Sequence, residues 1–551
     1  MDSYRVFLAI LLSFFILVGY QFFFVKPAAQ NQAAQQTAPN TAATTGKQTS
    51  NAPAAAVSSD TSKSSVPIDP QAKDIVVDTP LYTAVIKEQG GGFKSFMLKG
   101  FNTTLEKGSG PMQLVPEKDP ARLPVLFSLD NGANSTLPLF KADREKLLVT
   151  ADNQSVQLVM KASLAEGILL TRTLTFHGQS YLIENEYKVE NTSGKPLQIS
   201  PAISLDNEPF THASESSQFL FAGPTAFVNN ELVETKDKKL KEAPVVLQGK
   251  VSWAGFVDNY FMTAVIPPAG SNQTVTQQGN EKEVRTVLST GIQSLPAHGS
   301  QSYAYSVYFG PKKFKILQDA GFDLAKAINY GWFDVLAKPM LWLLNFFHQF
   351  SGNYGVAIIL LTVLIKGAFW PITQKGMTSM KNMQKLQPKI AKLREKYKDD
   401  PGKMNQEMMT LYKTYKVNPV GGCLPMLIQI PFFFALYRVL MAAIELRHAP
   451  FMLWINDLSA PDRLWIGFDL PYLHGIPILT LLMGGSMYLQ QKMTPTTVDP
   501  AQARIMQFLP VVFTFMFINF ASGLVLYWFV NNLLSILQQY MINRKTRSLN
   551  S

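Results

Sequence analysis

The sequence predicts a multi-domain membrane protein, with an all-β domain outside the bilayer joined to an α-helical transmembrane core, and three observations carry that prediction. A 551-residue chain with 47% hydrophobic and 11% aromatic residues, at a mean hydropathy of +0.04, is too apolar to be uniformly soluble. Residues 74 to 309 alternate apolar and polar side chains in short runs, whereas long apolar segments follow residue 350. The net charge of +11, from 50 Lys+Arg against 39 Asp+Glu, is not spread evenly: cations concentrate in one loop and in the C-terminal tail.

The first element is a nearly unbroken apolar run from Val6 to Val25, close to the ~20 residues a helix needs to cross a bilayer. A cleavable signal is the rival reading. The length of the run, and a single Arg5 offset by Asp2, favour an uncleaved anchor over residues 1–25. Residues 26–70 are mostly Ala, Gln, Thr, Ser, Asn and Pro, too poor in large apolar side chains to build a core, and are expected to form a flexible linker.

Residues 71–312 carry runs such as "ILLTRTLTF" and "YLIENEYKVEN", punctuated by "NTSGK", "DNGANS" and "PAHGS". Period-two alternation between turn signals predicts a β-sandwich. Its "EQGGGFKS" stretch, Glu88 to Ser95, clusters glycines as phosphate loops do. No G-x-x-x-x-G-K-[ST] occurs and no helical pattern follows, so Gly90 to Gly92 are expected to form a turn or bulge.

Across 313–350, Leu324, Ile328, Trp332 and Leu336 recur every four residues opposite Lys315, Asp319, Asp323 and Lys326. This predicts an amphipathic helix in the membrane interface. A soluble helix packed on the β domain would share the pattern.

Five apolar segments follow, at about 353–373, 420–442, 476–491, 504–520 and 523–541. With the anchor they give six transmembrane helices, the last five forming one core over 351–541. The loop at 375–417 holds eleven Lys and Arg, and the tail at 542–551 holds Arg544, Lys545 and Arg547. The positive-inside rule places both in the cytoplasm. Six crossings then put the N-terminus there too and the β domain outside. Within the loop, Met377, Met380, Met383, Leu386, Ile390, Leu393 and Tyr397 recur at threes and fours, "DDPG" breaks the run, and Met404, Met408, Leu411 and Tyr415 resume it. That is the pattern of a helical hairpin with one apolar seam and cationic flanks suited to anionic lipid, ribosomal RNA or an acidic protein.

Lys366 sits inside the second apolar segment. A charge at mid-helix costs at least ~2.5–3.5 kcal/mol on insertion scales, although a snorkelling Lys escapes part of that cost. Thr362, Lys366 and Thr373 share one helical face, at spacings of four and seven. In the last segment Trp528, Asn531, Ser535 and Gln538 form a second stripe, broadened by Asn532 and Gln539. The five segments contain no Asp or Glu, so a proton relay has no carboxylate. The expectation is a wet, positively charged groove beside an apolar wall, able to hydrate a polar stretch of polypeptide while its neighbour enters lipid. A lone Cys423 and six scattered histidines offer neither a disulfide framework nor metal-ligand spacing nor a nucleophile–base pair. No cofactor, metal or catalytic residue is expected. A secondary transporter is the alternative, but it would carry inverted repeats, and none is evident.

"NPVGGCLPMLIQIPFFFALY" (Asn418 to Tyr437), "LQPKIAKLREKYKDD" (Leu386 to Asp400), "QKMTPTTVDP" (Gln491 to Pro500) and "SGLVLYWFVNNLLSILQQ" (Ser522 to Gln539) resemble the YidC/Oxa/Alb family of membrane-protein insertases, in its Gram-negative form. The resemblance runs along the whole chain and implies a five-helix insertase core, a first anchor and a periplasmic β-supersandwich in the bacterial inner membrane. It implies an insertase and folding chaperone for nascent membrane proteins, acting alone or with the Sec translocon, with no DNA partner. Lys366 matches the groove cation, more often Arg in this family. Thr362 matches a groove contact with substrate, and Trp528 stands where relatives carry a second Tyr. Pro425, Met426, Ile430, Pro431 and Phe433 match the helix along which substrates slide. The hairpin matches a cytoplasmic segment needed for activity, and the tail a ribosome contact. Arg438 departs from the family's usual apolar character there.

Overall fold

The computed structural model describes residues 69–548 apart from 107, 117–121, 152–154, 165–166, 211–220, 281, 399, 416, 418–423, 469–472 and 495–499. The expected anchor and nearly all of the expected linker lie outside the described residues.

Strands dominate up to Pro311. A five-stranded sheet runs 111–115, 93–102, 82–87, 74–78 and 146–148 in spatial order, the last strand joining in parallel. A 13-stranded sheet includes the antiparallel series 155–164, 168–177, 182–191 and 300–311. Alternation in sequence becomes alternation in burial, as in 182–191, where Ile183, Tyr187 and Val189 are buried and Glu184, Glu186 and Lys188 are exposed. The sheets face each other across an aromatic core. Phe96 of the smaller sheet stacks on Tyr82 at 4.5 Å and on Phe309 of the larger at 4.9 Å. This is the β-sandwich that the period-two pattern predicts, followed by a helical C-terminal region.

Gly90 and Gly91 take φ of 78° and 74° in the turn between strands 82–87 and 93–102. The Gly91 carbonyl accepts from the guanidinium of Arg172, which comes from the opposite sheet, is fully buried, donates through Nε to Asn185 Oδ1 at 2.8 Å and lies 5.1 Å from the Tyr187 ring centre. A Cβ on Gly91 would stand 2.9 Å from the guanidinium. The glycines thus serve a turn and a close cross-sheet approach.

A short helix, α1 (Asp237–Glu242), interrupts the strands, and α2 (Phe314–Ala320) follows them. The continuous amphipathic helix expected over 313–350 is not formed. Gly321, Phe322 and Asp323 have φ of 79°, 52° and 59°, and three positive-φ residues in succession stop a right-handed helix. Helical structure resumes as 3₁₀ turns and then as α3 (Asp334–Ser351). The four-residue stripe is therefore split: Leu324 and Ile328 are buried, whereas Trp332 is 92% exposed.

Lys312 leaves the last strand with its ammonium donating to the Asp258 carbonyl at 2.6 Å. Burial pushes its pKa down to about 8, and the charges of Asp258 and Glu234 oppose the fall. A lysine depressed in the folded state penalises folding while it is charged, and the penalty is relieved as pH rises through the folded pKa toward the unfolded value. Denaturant unfolding of the detergent-solubilised protein should therefore show stability rising by about 3 kcal/mol between about pH 8 and 10.5. Lys312→Met should abolish that rise.

The helical part begins with α4 (Tyr354–Lys396), capped by Asn353, whose side chain accepts from Val356 N at 3.1 Å. It is 43 residues long, so the apolar segment and the first limb of the expected hairpin are one rod. α5 (Pro401–Thr414) follows, with Asp400 accepting from Lys403 N at 3.0 Å and Pro401 at the first helical position. The "DDPG" break is therefore real, and Leu386, Ile390 and Val417 form the seam with Met383, Met408 and Leu411. Tyr415 leaves it, half exposed with Lys389 over its ring at 4.2 Å. α6 (Leu424–Ala442), α7 (Ile478–Met493), α8 (Pro500–Phe517) and α9 (Ser522–Ser548) complete the order. α9 extends into the expected tail as far as Ser548, and Lys381 donates to its Asn543 at 3.0 Å. By length and composition together, α4 is the one described helix able to span a membrane unaided, at mean hydropathy 2.0 over 18 residues.

Candidate functional site

α4 and α9 pack together and set their polar stripes face to face. Lys366 Nζ donates to Ser535 Oγ at 2.7 Å, and Ser535 Oγ lies 2.8 Å from the Asn531 carbonyl one turn back. One turn and more toward the hairpin, Gln538 Nε2 donates to Thr373 Oγ1 at 2.9 Å and to the Trp370 carbonyl at 3.2 Å. Thr362 turns its hydroxyl to the Ile358 carbonyl at 2.7 Å, within its own helix. Lys366 is only 5% exposed, and Ser535, Gln538, Thr362 and Thr373 are buried with it. Asn531 is half-buried.

The Lys366 ammonium is held by a hydroxyl, and the five apolar segments supply no carboxylate to neutralise it. Hydroxyl and amide dipoles can orient toward a cation but cannot cancel its charge, so the seam stays positive. An acidic group arriving from outside would find the attraction unspent.

The broader stripe divides. Asn532 donates to Ser486 Oγ of α7 at 3.0 Å and Gln539 to the Met493 carbonyl at 3.1 Å, so these two tie α9 to α7 and do not face α4. Polar spacing does not single out Ser486, although the small residues of "GGS" mark a close approach: a Cβ on Gly484 would lie 2.0 Å from Thr514 Oγ1 of α8.

An apolar wall adjoins the seam. Phe433 of α6 stands edge-on to Trp528 at 5.1 Å and beside Tyr527 at 6.3 Å, and Trp528 also meets Phe513 and Phe517 of α8 at 6.3 and 5.3 Å. Phe369 of α4 meets Phe432 of α6 edge-on at 4.8 Å. The indole N–H of Trp528 is buried with no hydrogen-bond partner among the described residues. On α6 itself, Ile430 and Pro431 are exposed beside Leu427 and Phe434. Pro425 and Met426 fall in the first turn of α6.

Residues 74–343 match the family model described as the YidC periplasmic domain, and residues 346–549 match the model described as the 60Kd inner membrane protein. The curated protein named membrane protein insertase YidC from Syntrophobacter fumaroxidans is 44% identical over 482 residues, covering 86% of this chain and 87% of that one. Its namesake from Geobacter sulfurreducens is 44% identical over 474 residues, covering 85% of each chain. The one from Maridesulfovibrio salexigens is 40% identical over 567 residues, covering all of both. A β-sandwich that matches the periplasmic-domain model, a helical core that matches the inner-membrane model and relatives at this identity over this length place the chain in the YidC family of bacterial inner-membrane protein insertases.

Proposed function

We propose that the α4–α9 seam is the route by which the polar stretch of a substrate enters the membrane, and that the aromatic wall of α6 and α8 guides the apolar stretch into lipid. The observation that carries this reading is the buried Lys366 ammonium bonded to Ser535 with no carboxylate in the five apolar segments. A structural ion pair would bring its own anion; this cation has none among the described residues, and an incoming acidic side chain supplies it. Thr373 and Gln538 offer exchangeable hydrogen bonds on the hairpin side of the seam, and Trp528 Nε1 offers an unused donor to a passing carbonyl. Ile430, Pro431 and Phe433, with Pro425 and Met426 before them, line the slide. No bond is made or broken.

In this reading the hairpin and both termini face the cytoplasm, the β domain faces the periplasm, and the seam opens to cytoplasm and lipid during insertion. The substrates are nascent membrane proteins, taken directly or from the Sec translocon. The cationic hairpin and the end of α9 meet anionic lipid and the ribosome. In a Cys423→Ser background, single cysteines at 362, 535 and 538 should react with a membrane-impermeant thiol reagent added from the cytoplasmic side. Uniform protection of all three, with and without substrate, would mean a permanently dry helix contact.

A further inference from the structure

We propose that residues 443–468, in the loop between α6 and α7, are seated in the leaflet on the β-domain side of the membrane, with two apolar tips anchored in lipid. The inference rests on reading the helices as membrane-embedded.

The loop is locked to the helix ends. Asn353, the cap of α4, donates to the Phe451 carbonyl at 2.8 Å, and the Phe451 ring fills the space that a side chain at Gly355 would need. Asp462, 2% exposed, accepts from Trp454 Nε1 at 2.6 Å and from Thr480 N in the first turn of α7 at 3.1 Å. Arg463 donates to the Ile518 carbonyl and to Asn519 Oδ1, both at 2.8 Å. The first amides of α9 are capped by the same loop, Ser522 N donating to the Ala460 carbonyl at 2.8 Å and Gly523 N to the Leu458 carbonyl at 2.9 Å. Asp457 accepts from His448 N and Ser459. These contacts fix the loop at the level of the first turns of α4, α7 and α9.

Its polarity is inverted for a segment in water. The carboxylates of Asp457 and Asp462 turn inward, while Met452, Leu453, Trp465, Ile466 and Phe468 are 51%, 81%, 61%, 36% and 60% exposed. Leu453 also holds φ at 59°, a left-handed conformation that Asn or Gly adopts with less strain. A strained leucine with four-fifths of its surface bare gains nothing from packing inside the protein. It does gain from an apolar medium outside.

The bare residues continue a surface that already faces lipid. Leu464 and Ile476 exchange backbone hydrogen bonds at 2.8 and 2.9 Å in an antiparallel bridge just before α7, so Trp465 and Ile466 project from the end of the helix whose exposed Leu481 and Leu482 lie on the other side of the bridge. Met452 and Leu453 follow Phe451, at the start of α4. Two tips at the level of the helix ends, one bearing a tryptophan, match the boundary between headgroups and hydrocarbon, where indole rings concentrate.

The test uses the full chain with Cys423→Ser in phosphatidylethanolamine–phosphatidylglycerol vesicles. Single cysteines at 453, 466 or 468 carry an environment-sensitive fluorophore, with Ile292, 79% exposed in the β domain, as the comparison site. Shallow nitroxide lipids should quench the three loop probes several-fold more than the probe at 292, and aqueous iodide should quench them several-fold less. Equal iodide quenching at all four sites would overturn the proposal. So would shielding from both quenchers that depends on the protein-to-lipid ratio, because a second copy would then cover the loop. Should labelled variants fail to fold, brominated lipids should quench native tryptophan fluorescence more in the otherwise unaltered chain than in Trp465→Phe; an identical fraction quenched would also overturn it. Depth is read without any insertion assay, so the seam's role can fail while this result stands.

Discussion

Lys366→Ala should lower the insertion of substrates with acidic translocated segments roughly tenfold, while Lys366→Arg retains most of it. Two charges ~10 Å apart at an effective dielectric of ~20 attract by about 1.7 kcal/mol, which is slightly more than a factor of ten. The alanine variant leaves Ser535 free to bond the Asn531 carbonyl of its own helix, so the helix contact survives while the charge is lost. Arginine keeps the charge but is longer and forked. Substrates with neutral translocated segments should be affected two- to threefold at most. A protease-protection assay over a series of tail charges separates the two classes; equal losses for both would reduce Lys366 to a packing role.

Arg172→Met should destabilise the β domain by about 3 kcal/mol, because it removes one donor set and strands two buried acceptors, the Gly91 carbonyl and Asn185 Oδ1. Gly91→Ala should cost a comparable amount through its left-handed backbone and the 2.9 Å approach to the guanidinium. The two changes damage one contact, so the double variant should lose less than the sum. Chemical denaturation followed by the near-ultraviolet signal of the buried tyrosines measures all three. Strict additivity would show that the cross-sheet clamp is not a unit.

The inward orientation of Arg172 is legible in the sequence, since it shares strand parity with Leu170, Leu174 and Phe176. Its partner is not, because Gly91 lies 81 residues away in the other sheet. Spacing likewise puts Thr362, Lys366 and Thr373 on one face. It cannot tell that Thr362 satisfies itself within α4, nor that Asn532 and Gln539 turn to α7, because a stripe two residues wide leaves open which neighbour each edge meets. The break at 321–323 is hidden because Phe and Asp are not expected to follow a glycine into left-handed backbone. α4 runs on past its apolar segment into the hairpin, with Pro371 and Pro388 accommodated inside the helix. Fold class, by contrast, follows from apolar content, run length and periodicity together.

A photoreactive residue placed at 538, and in separate variants at 362 and at 515, tests most directly whether the seam carries substrate. Phe515 on α8 is 73% exposed and apolar, and serves as the lipid-facing comparison. With a nascent membrane protein stalled at successive lengths, the polar stretch should crosslink from 538 and then from 362, and not from 515. Crosslinks of that stretch from 515 alone, with 538 and 362 silent at every length, would contradict the account.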